Sequence, residues 1–417
     1  MSRFVIEGGH ALSGEVRVSG AKNAALPIIA ATALLDGPVT LHQVPDIADI
    51  RLLVNILEGL GAQASFSGQT LTIDSSTLTS TVPDPKKVRN LRGSILLLGP
   101  LIAKYHEVEL AYPGGCFIGH RPIDVHLHVI RSLGAKITEE DELFRLKTEG
   151  LHGARIVLRE MSVTATENAI LAAVLAEGTT EIHLAAAEPH VQDLVAFLNE
   201  AGAKIAGGAG NVLHIEGVKS LHGVEHTIIP DAIEAGTYLT GAIATNSEID
   251  ILNVNPEDLD VVLMLLEGAG GRVNRGEKSL SVKRSTRLKA TNITAMPYPN
   301  FPTDLQAPWA VMMTQATGTT LIHDPMFEGR MNYIRELVKM GADARVLDPH
   351  RAMVSGPTPL FGSEITSLDL RAGATLIIAS LLAEGTSTIF KAEIIDRGYE
   401  KIDEKLRGLG AKIERHE

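Results

Sequence analysis

A chain of 417 residues exceeds what one hydrophobic core sustains, roughly 250–300 residues, and so predicts two domains. Its 45% hydrophobic content reads as globular, and its net charge of −12 argues against a general nucleic-acid binder, which presents a basic face. One cysteine excludes an internal disulfide, no segment reaches the roughly 20 apolar residues of a membrane span, and the first residues lack the apolar run of a signal peptide, so a cytoplasmic location is expected.

Phe4-Val5-Ile6 is the first expected strand. Ser19-Gly20-Ala21-Lys22-Asn23 then leads into Ala24–Ala31, apolar nearly all round, which predicts a helix buried on every side. Asp36-Gly37-Pro38 stops it, and Val39-Thr40-Leu41 reads as a strand. An amphipathic helix follows and ends at Leu60-Gly61-Ala62. The same succession then recurs. Glycines that close an amphipathic helix stand at 61, 134, 202, 270, 341 and 410, separated by 73, 68, 68, 71 and 69 residues. The stop after the apolar helix recurs at Gly178, Gly318 and Gly385, and near Tyr105 and Asn246 without a glycine. Each repeat of about seventy residues reads helix, strand, helix, strand, strand. Six repeats in two domains divide as three plus three, with the boundary near residue 229, and Phe4–Ile6 fits either half. An open solenoid is the alternative; it needs polar capping repeats, and the end repeats show none.

Charged residues stand at matching starts of the apolar helices: Lys22, Arg92, Asp304 and Arg371. Helix N-termini favour anions. Each of these residues, taken alone, also reads as an ordinary cap or solvated side chain. Arg330 and Arg397 also read as surface partners of neighbouring acids. Cys116 lies in Pro113-Gly114-Gly115-Cys116-Phe117-Ile118-Gly119-His120-Arg121-Pro122. It reads either as a small core residue or as a thiol whose proton is mobile beside fixed cations. Lys22, Arg92 and Arg121 lie in the first half, and Arg330, Arg371 and Arg397 in the second. If they share a ligand, it is expected between the halves. No His/Cys cluster has metal-ligand spacing.

Ser19–Pro27, Pro113–Asp124, Phe301–Gln306, Asp369–Arg371 and Asp396–Tyr399 together resemble the bacterial UDP-N-acetylglucosamine enolpyruvyl transferases, and the resemblance runs from end to end. It implies an α/β fold, a two-domain inside-out α/β barrel of six βαβαββ repeats with pseudo-threefold symmetry in each domain. Residues 22–229 would form the first domain and carry the Cys116 loop as a lid. Residues 1–21 with 230–417 would form the second, and the active site would lie in the cleft between them. The implied reaction moves the enolpyruvyl group of phosphoenolpyruvate to the 3′-hydroxyl of UDP-N-acetylglucosamine and releases phosphate, the first committed step of peptidoglycan synthesis.

By the same resemblance Cys116 donates a proton to C3, can hold a covalent adduct, and is the thiol alkylated by an epoxide such as fosfomycin. Asp304 is the implied general base. Lys22, Asn23, Arg121 and Arg397 are implied for phosphoenolpyruvate, with Lys22 and Arg397 counted among the catalytic groups. Arg92, Arg121, Pro122, Ile123, Asp124, Val125, Ser162, Val163, Thr164, Asp304 and Met326 are implied for the sugar nucleotide. Arg330, Asp369 and Arg371 surround them. No cofactor, metal, nucleic acid, membrane or obligate protein partner is implied. The chain departs from the family pattern at Ala232 (commonly Arg), Thr164 (commonly Gly) and Leu96 (Trp in some relatives). Competing readings are a shikimate-pathway enolpyruvyl transferase, which lacks the cysteine loop, an RNA 3′-phosphate cyclase-like enzyme, and a non-catalytic sugar-nucleotide binder.

Overall fold

The computed structural model describes every residue except Met1, Cys116, Phe117, Asp141, Ala209 and Thr286. The described residues group into two compact domains. The first comprises the described residues of 20–115 and 121–229; the second comprises those of 2–19, 118–120 and 230–417. Each has its own apolar core. The described part of the cysteine loop thus groups with the second domain, whereas the resemblance counted it with the first. Among the described residues, no helix is long and apolar enough to cross a membrane.

In the first domain the apolar stretches form helices Lys22–Ala31, Leu98–Tyr105 and Val163–Ala173, buried along nearly their whole length. Outer helices such as Ala48–Leu60, Asp124–Ser132 and Pro189–Glu200 bury one face each. Strand Val39–His42 pairs antiparallel with Thr70–Asp74 and parallel with Glu225–Thr227. The domain's last strand therefore joins its first sheet, a pairing that an open stack of repeats does not make. Arg155–Val157 runs parallel to Thr179–His183, which continues antiparallel into Val212–Glu216.

The second domain is built around helices Ala232–Ala244, Gln306–Met313 and Leu370–Leu382, which pack on one another. Strand Arg3–Glu7 lies between Thr386–Phe390 and Lys412–His416, antiparallel to both. Ser13–Arg17 runs parallel to Glu248–Leu252. Both N-terminal strands therefore belong to sheets of the second domain.

The six helix-closing glycines have φ between 91° and 116°, the left-handed region in which a side chain is strained. At the two stops without a glycine, His106 and Asn246 take φ of 63° and 48°, and both residue types tolerate that region. Two expected helix starts differ in detail. Arg92–Leu97 and Thr303–Leu305 are 3-10 turns that precede Leu98–Tyr105 and Gln306–Met313. Pro100 and Pro308, neither with an N–H to bond the carbonyl four residues back, lie in the helices that follow these turns, but Pro27 sits in Lys22–Ala31 without such a turn before it.

Candidate active site

In the first domain, Lys22 opens its buried helix, and its Nζ lies 2.6 Å from Asp49 Oδ2, with both side chains almost wholly buried. Asn23 follows in the same turn and is partly exposed. Asp49 was not singled out from the sequence. An acid in the first turn of an amphipathic helix looks like ordinary dipole compensation.

Arg92 donates from Nη2 to Arg121 O at 2.5 Å and from Nη1 to Pro113 O at 3.3 Å. Both bonds run to carbonyls, not carboxylates, and they fasten the two ends of the loop that carries Cys116. Burial, then the nearby Arg121 charge, lowers the Arg92 pKa to about 10. Two guanidiniums that repel one another in a partly buried place favour an anion between them. By contrast, the shallow cleft of about 870 Å³ beside Tyr112 is lined by three acids, Glu139, Glu140 and Glu142, against one cation, Arg89, and its net negative lining disfavours an anion.

After Arg121 and the exposed Pro122 comes buried Ile123, then helix Asp124–Ser132 with Asp124 exposed and Val125 buried. This helix packs on Val163–Ala173. Ser162 caps the latter, accepting from Ala165 N–H at 3.4 Å, and Val163 and Thr164 form its partly exposed first turn. His126 ties the pieces together: its Nε2 is 3.3 Å from Thr164 Oγ1, and the charges of Arg92 and Arg121 act on it. The structure thus brings Arg92, Arg121–Val125 and Ser162–Thr164 into one neighbourhood.

In the second domain, Asp304 ends one oxygen 2.5 Å from Arg330 Nη1 and the other 3.2 Å from Arg371 Nε. Arg330 therefore pairs with a distant acid, not a neighbouring one. Asp369 caps helix Leu370–Leu382, accepting from the N–H groups of Arg371 and Ala372 at 2.9 Å each. That cap places Arg371 against the Tyr399 ring, 5.1 Å from its centroid. Burial alone would lower the Arg371 pKa, but Tyr399, Asp304 and Asp231 outweigh it and raise it. Arg330 Nε and Arg371 Nη1 are buried with no hydrogen-bond partner among the described residues. Thr303 Oγ1 donates to Asp324, which accepts in turn from Met326 N–H at 2.9 Å, so Met326 is held near Asp304 with its side chain exposed. Arg397 ends the turn Ala392–Arg397, partly exposed, while the adjacent Asp396 is gripped by both Nη atoms of Arg415.

Cys116 lies outside the described residues. Its described neighbours are fixed to the turn before Arg330. Gly329 N–H donates to Ile118 O at 3.0 Å, and His120 N–H donates to Glu328 Oε1 at 2.6 Å. Gly119 has φ of 138°, and a Cβ there would come within 2.5 Å of Glu328 Oε2. The positive φ is what favours glycine here, since the Glu328 carboxylate is the movable end of its side chain.

Compared with known proteins, residues 6–406 match the family described as EPSP synthase (3-phosphoshikimate 1-carboxyvinyltransferase). The chain is 45% identical over 413 residues to the UDP-N-acetylglucosamine 1-carboxyvinyltransferase of Halothermothrix orenii, covering 99% of each. It is 44% identical over 417 residues to UDP-N-acetylglucosamine 1-carboxyvinyltransferase 2 of Carboxydothermus hydrogenoformans, covering 100% of this chain and 99% of that one. Among solved structures, the enolpyruvyl transferase NikO from Streptomyces tendae matches with a TM-score of 0.91 at 28% identity, over 99% of this chain and 98% of its own. EPSP synthase from Acinetobacter baumannii matches with a TM-score of 0.75 at 20% identity over the whole of both chains, a likeness of fold alone.

Proposed function

The chain belongs to the EPSP synthase family of enolpyruvyl transferases, and on that premise we propose that it moves the enolpyruvyl group of phosphoenolpyruvate to the 3′-hydroxyl of UDP-N-acetylglucosamine, releasing phosphate. This is the first committed step of peptidoglycan synthesis, and we place it in the cytoplasm. The observation that carries the choice of acceptor is full-length identity of 44–45% to transferases named for that sugar nucleotide. We read the fold as the inside-out α/β barrel of six βαβαββ repeats, three to a domain.

The reaction is addition followed by elimination. Cys116 gives its Sγ proton to C3 while the hydroxyl oxygen bonds to C2 and Asp304 takes the hydroxyl proton. The tetrahedral product then loses phosphate from C2 and a proton from C3, which restores the double bond. Proton transfer to and from placed side chains is worth about 10²–10⁴-fold. In the structure each Asp304 oxygen is engaged by one arginine, and each keeps a further lone pair with which to accept from the hydroxyl. Lys22, Asn23, Arg121 and Arg397 hold the phosphate and carboxylate of phosphoenolpyruvate. At about 4 Å and an effective dielectric near 20, each opposite-charge contact is worth about 4 kcal/mol before desolvation. Local contacts of that size offset the repulsion from a chain of net charge −12. Arg92, Arg121–Val125, Ser162–Thr164, Asp304 and Met326 hold the sugar nucleotide.

The test is phosphate release from phosphoenolpyruvate, measured with and without UDP-N-acetylglucosamine. Release should require the sugar nucleotide and fall by about 10²–10⁴-fold in Cys116→Ala. Cys116→Asp should retain turnover and resist fosfomycin, because a carboxylic acid donates a proton but is not the thiol that the epoxide alkylates. Undiminished release in Cys116→Ala would remove the cysteine from the mechanism.

A further inference from the structure

Beneath the first turn of Val163–Ala173 runs a buried polar chain whose hydrogens can be assigned one by one. Asn168 is fully buried. Gly99 N–H, which can only donate, reaches Asn168 Oδ1 at 2.9 Å. That fixes Oδ1 as the acceptor and Nδ2 as the donor. The approach depends on glycine, since a Cβ at residue 99 would lie 2.8 Å from Leu171 Cβ. Asn168 Nδ2 sends one hydrogen to Ile95 O at 3.0 Å and the other to His126 Nδ1 at 2.9 Å. His126 Nδ1 must therefore be an unprotonated acceptor, and the neutral ring carries its proton on Nε2.

His126 is 2% exposed. Burial, then the charges of Arg92 and Arg121, lowers its pKa to about 3, so the ring stays neutral at any physiological pH. Its Nε2–H points to Thr164 Oγ1, 3.3 Å away. The Thr164 oxygen accepts that bond and keeps its own hydrogen to give away. No other hydrogen bond to a described residue occupies the hydroxyl. The donor sits in the first turn of an eleven-residue helix, partly exposed, with Arg92 and Arg121 close enough to act on the ring beneath it. An acceptor-only anion suits that place.

We propose that Thr164 donates its hydroxyl hydrogen to a diphosphate oxygen of bound UDP-N-acetylglucosamine, and that His126, held in its Nε2–H form by Asn168, is the positioning residue that reserves this hydrogen for the ligand. The ligand's identity rests on the activity proposed above; the direction of the hydroxyl rests on Gly99, Asn168 and His126 alone.

Thr164→Val and Thr164→Ser test it in the full-length protein, with UDP alone and UDP-N-acetylglucosamine as probes. Thr164→Val should weaken binding of both by about tenfold, the scale of one hydrogen bond to an anion, while kcat and the KM for phosphoenolpyruvate stay within about twofold. Thr164→Ser should restore affinity to within about twofold. Nitrogen-15 spectra of the wild-type ring should show Nε2 protonated and Nδ1 bare from about pH 8 to about pH 5, with the Nε2 signal shifting when UDP binds. A Thr164→Val protein that binds both probes as tightly as wild type, or a ring protonated on Nδ1, overturns the proposal. If Thr164→Val fails to fold, the serine variant and the wild-type spectra still decide. Wild-type protein that binds UDP but not the sugar nucleotide would overturn the activity reading instead and leave the hydroxyl's role standing.

Discussion

Asp304→Ala should lower turnover by about 10²–10⁴-fold, the usual worth of a placed general base, and should also lower the melting temperature. The second effect follows from the geometry. Arg330 and Arg371 are both largely buried, and each meets one oxygen of this single carboxylate. Removing it takes from two guanidiniums the carboxylate they share, leaving only the more distant Asp231 and Asp324 to act on them, and breaking a buried pair costs about 3–5 kcal/mol. Partial exposure of the carboxylate argues for the lower end. Asp304→Asn keeps the shape but not the charge, so it should be as inactive as alanine and intermediate in stability. Asp304→Ala combined with Arg330→Met should recover part of the melting temperature and none of the turnover. That split separates the structural role of the carboxylate from its chemical one. Wild-type turnover in Asp304→Asn would remove the residue from proton transfer.

Arg92→Met is the second large effect. It should raise the KM for UDP-N-acetylglucosamine by about 10–100-fold, the range of a charge-assisted hydrogen bond. Arg92→Lys should recover little. The guanidinium bonds Arg121 O and Pro113 O at once, and an ammonium cannot span both while also facing a ligand. Those two carbonyls flank the cysteine loop, so alkylation of Cys116 by fosfomycin in the presence of sugar nucleotide should slow in both variants. A variant with raised KM but an unchanged alkylation rate would show that Arg92 binds ligand without ordering the loop.

The helix ends were legible because their punctuation is glycine at positive φ. Gly61 and its five counterparts have no substitute that takes the conformation without strain, so they stand out at even spacing. The apolar helices were legible from the absence of a polar face. Their 3-10 starts at Arg92 and Thr303 were not anticipated, and proline is no sure signal of them, since Pro27 lies in a helix that is regular from Lys22. Charged residues at matching helix starts pointed to Lys22, Arg92, Asp304 and Arg371. What they pair with was hidden, because pairing depends on which repeats face each other. Nothing in the sequence ties Lys22 to Asp49, or Asp304 to arginines 26 and 67 residues away. The His126–Asn168 chain was missed for a different reason. A histidine and an asparagine on helical faces read as packing until a backbone N–H fixes which way the amide points. Cys116 was named from its setting among glycines and cations and from the family resemblance, and it lies outside the described residues.

The most direct measurement offers the wild-type protein phosphoenolpyruvate with equal amounts of UDP-N-acetylglucosamine and shikimate 3-phosphate, and identifies the product by mass spectrometry. The sugar nucleotide should gain one enolpyruvyl group, with one phosphate released for each, and shikimate 3-phosphate should be recovered unchanged. Enolpyruvyl transfer to the shikimate ester, or phosphate release that leaves both acceptors unmodified, would contradict the assignment.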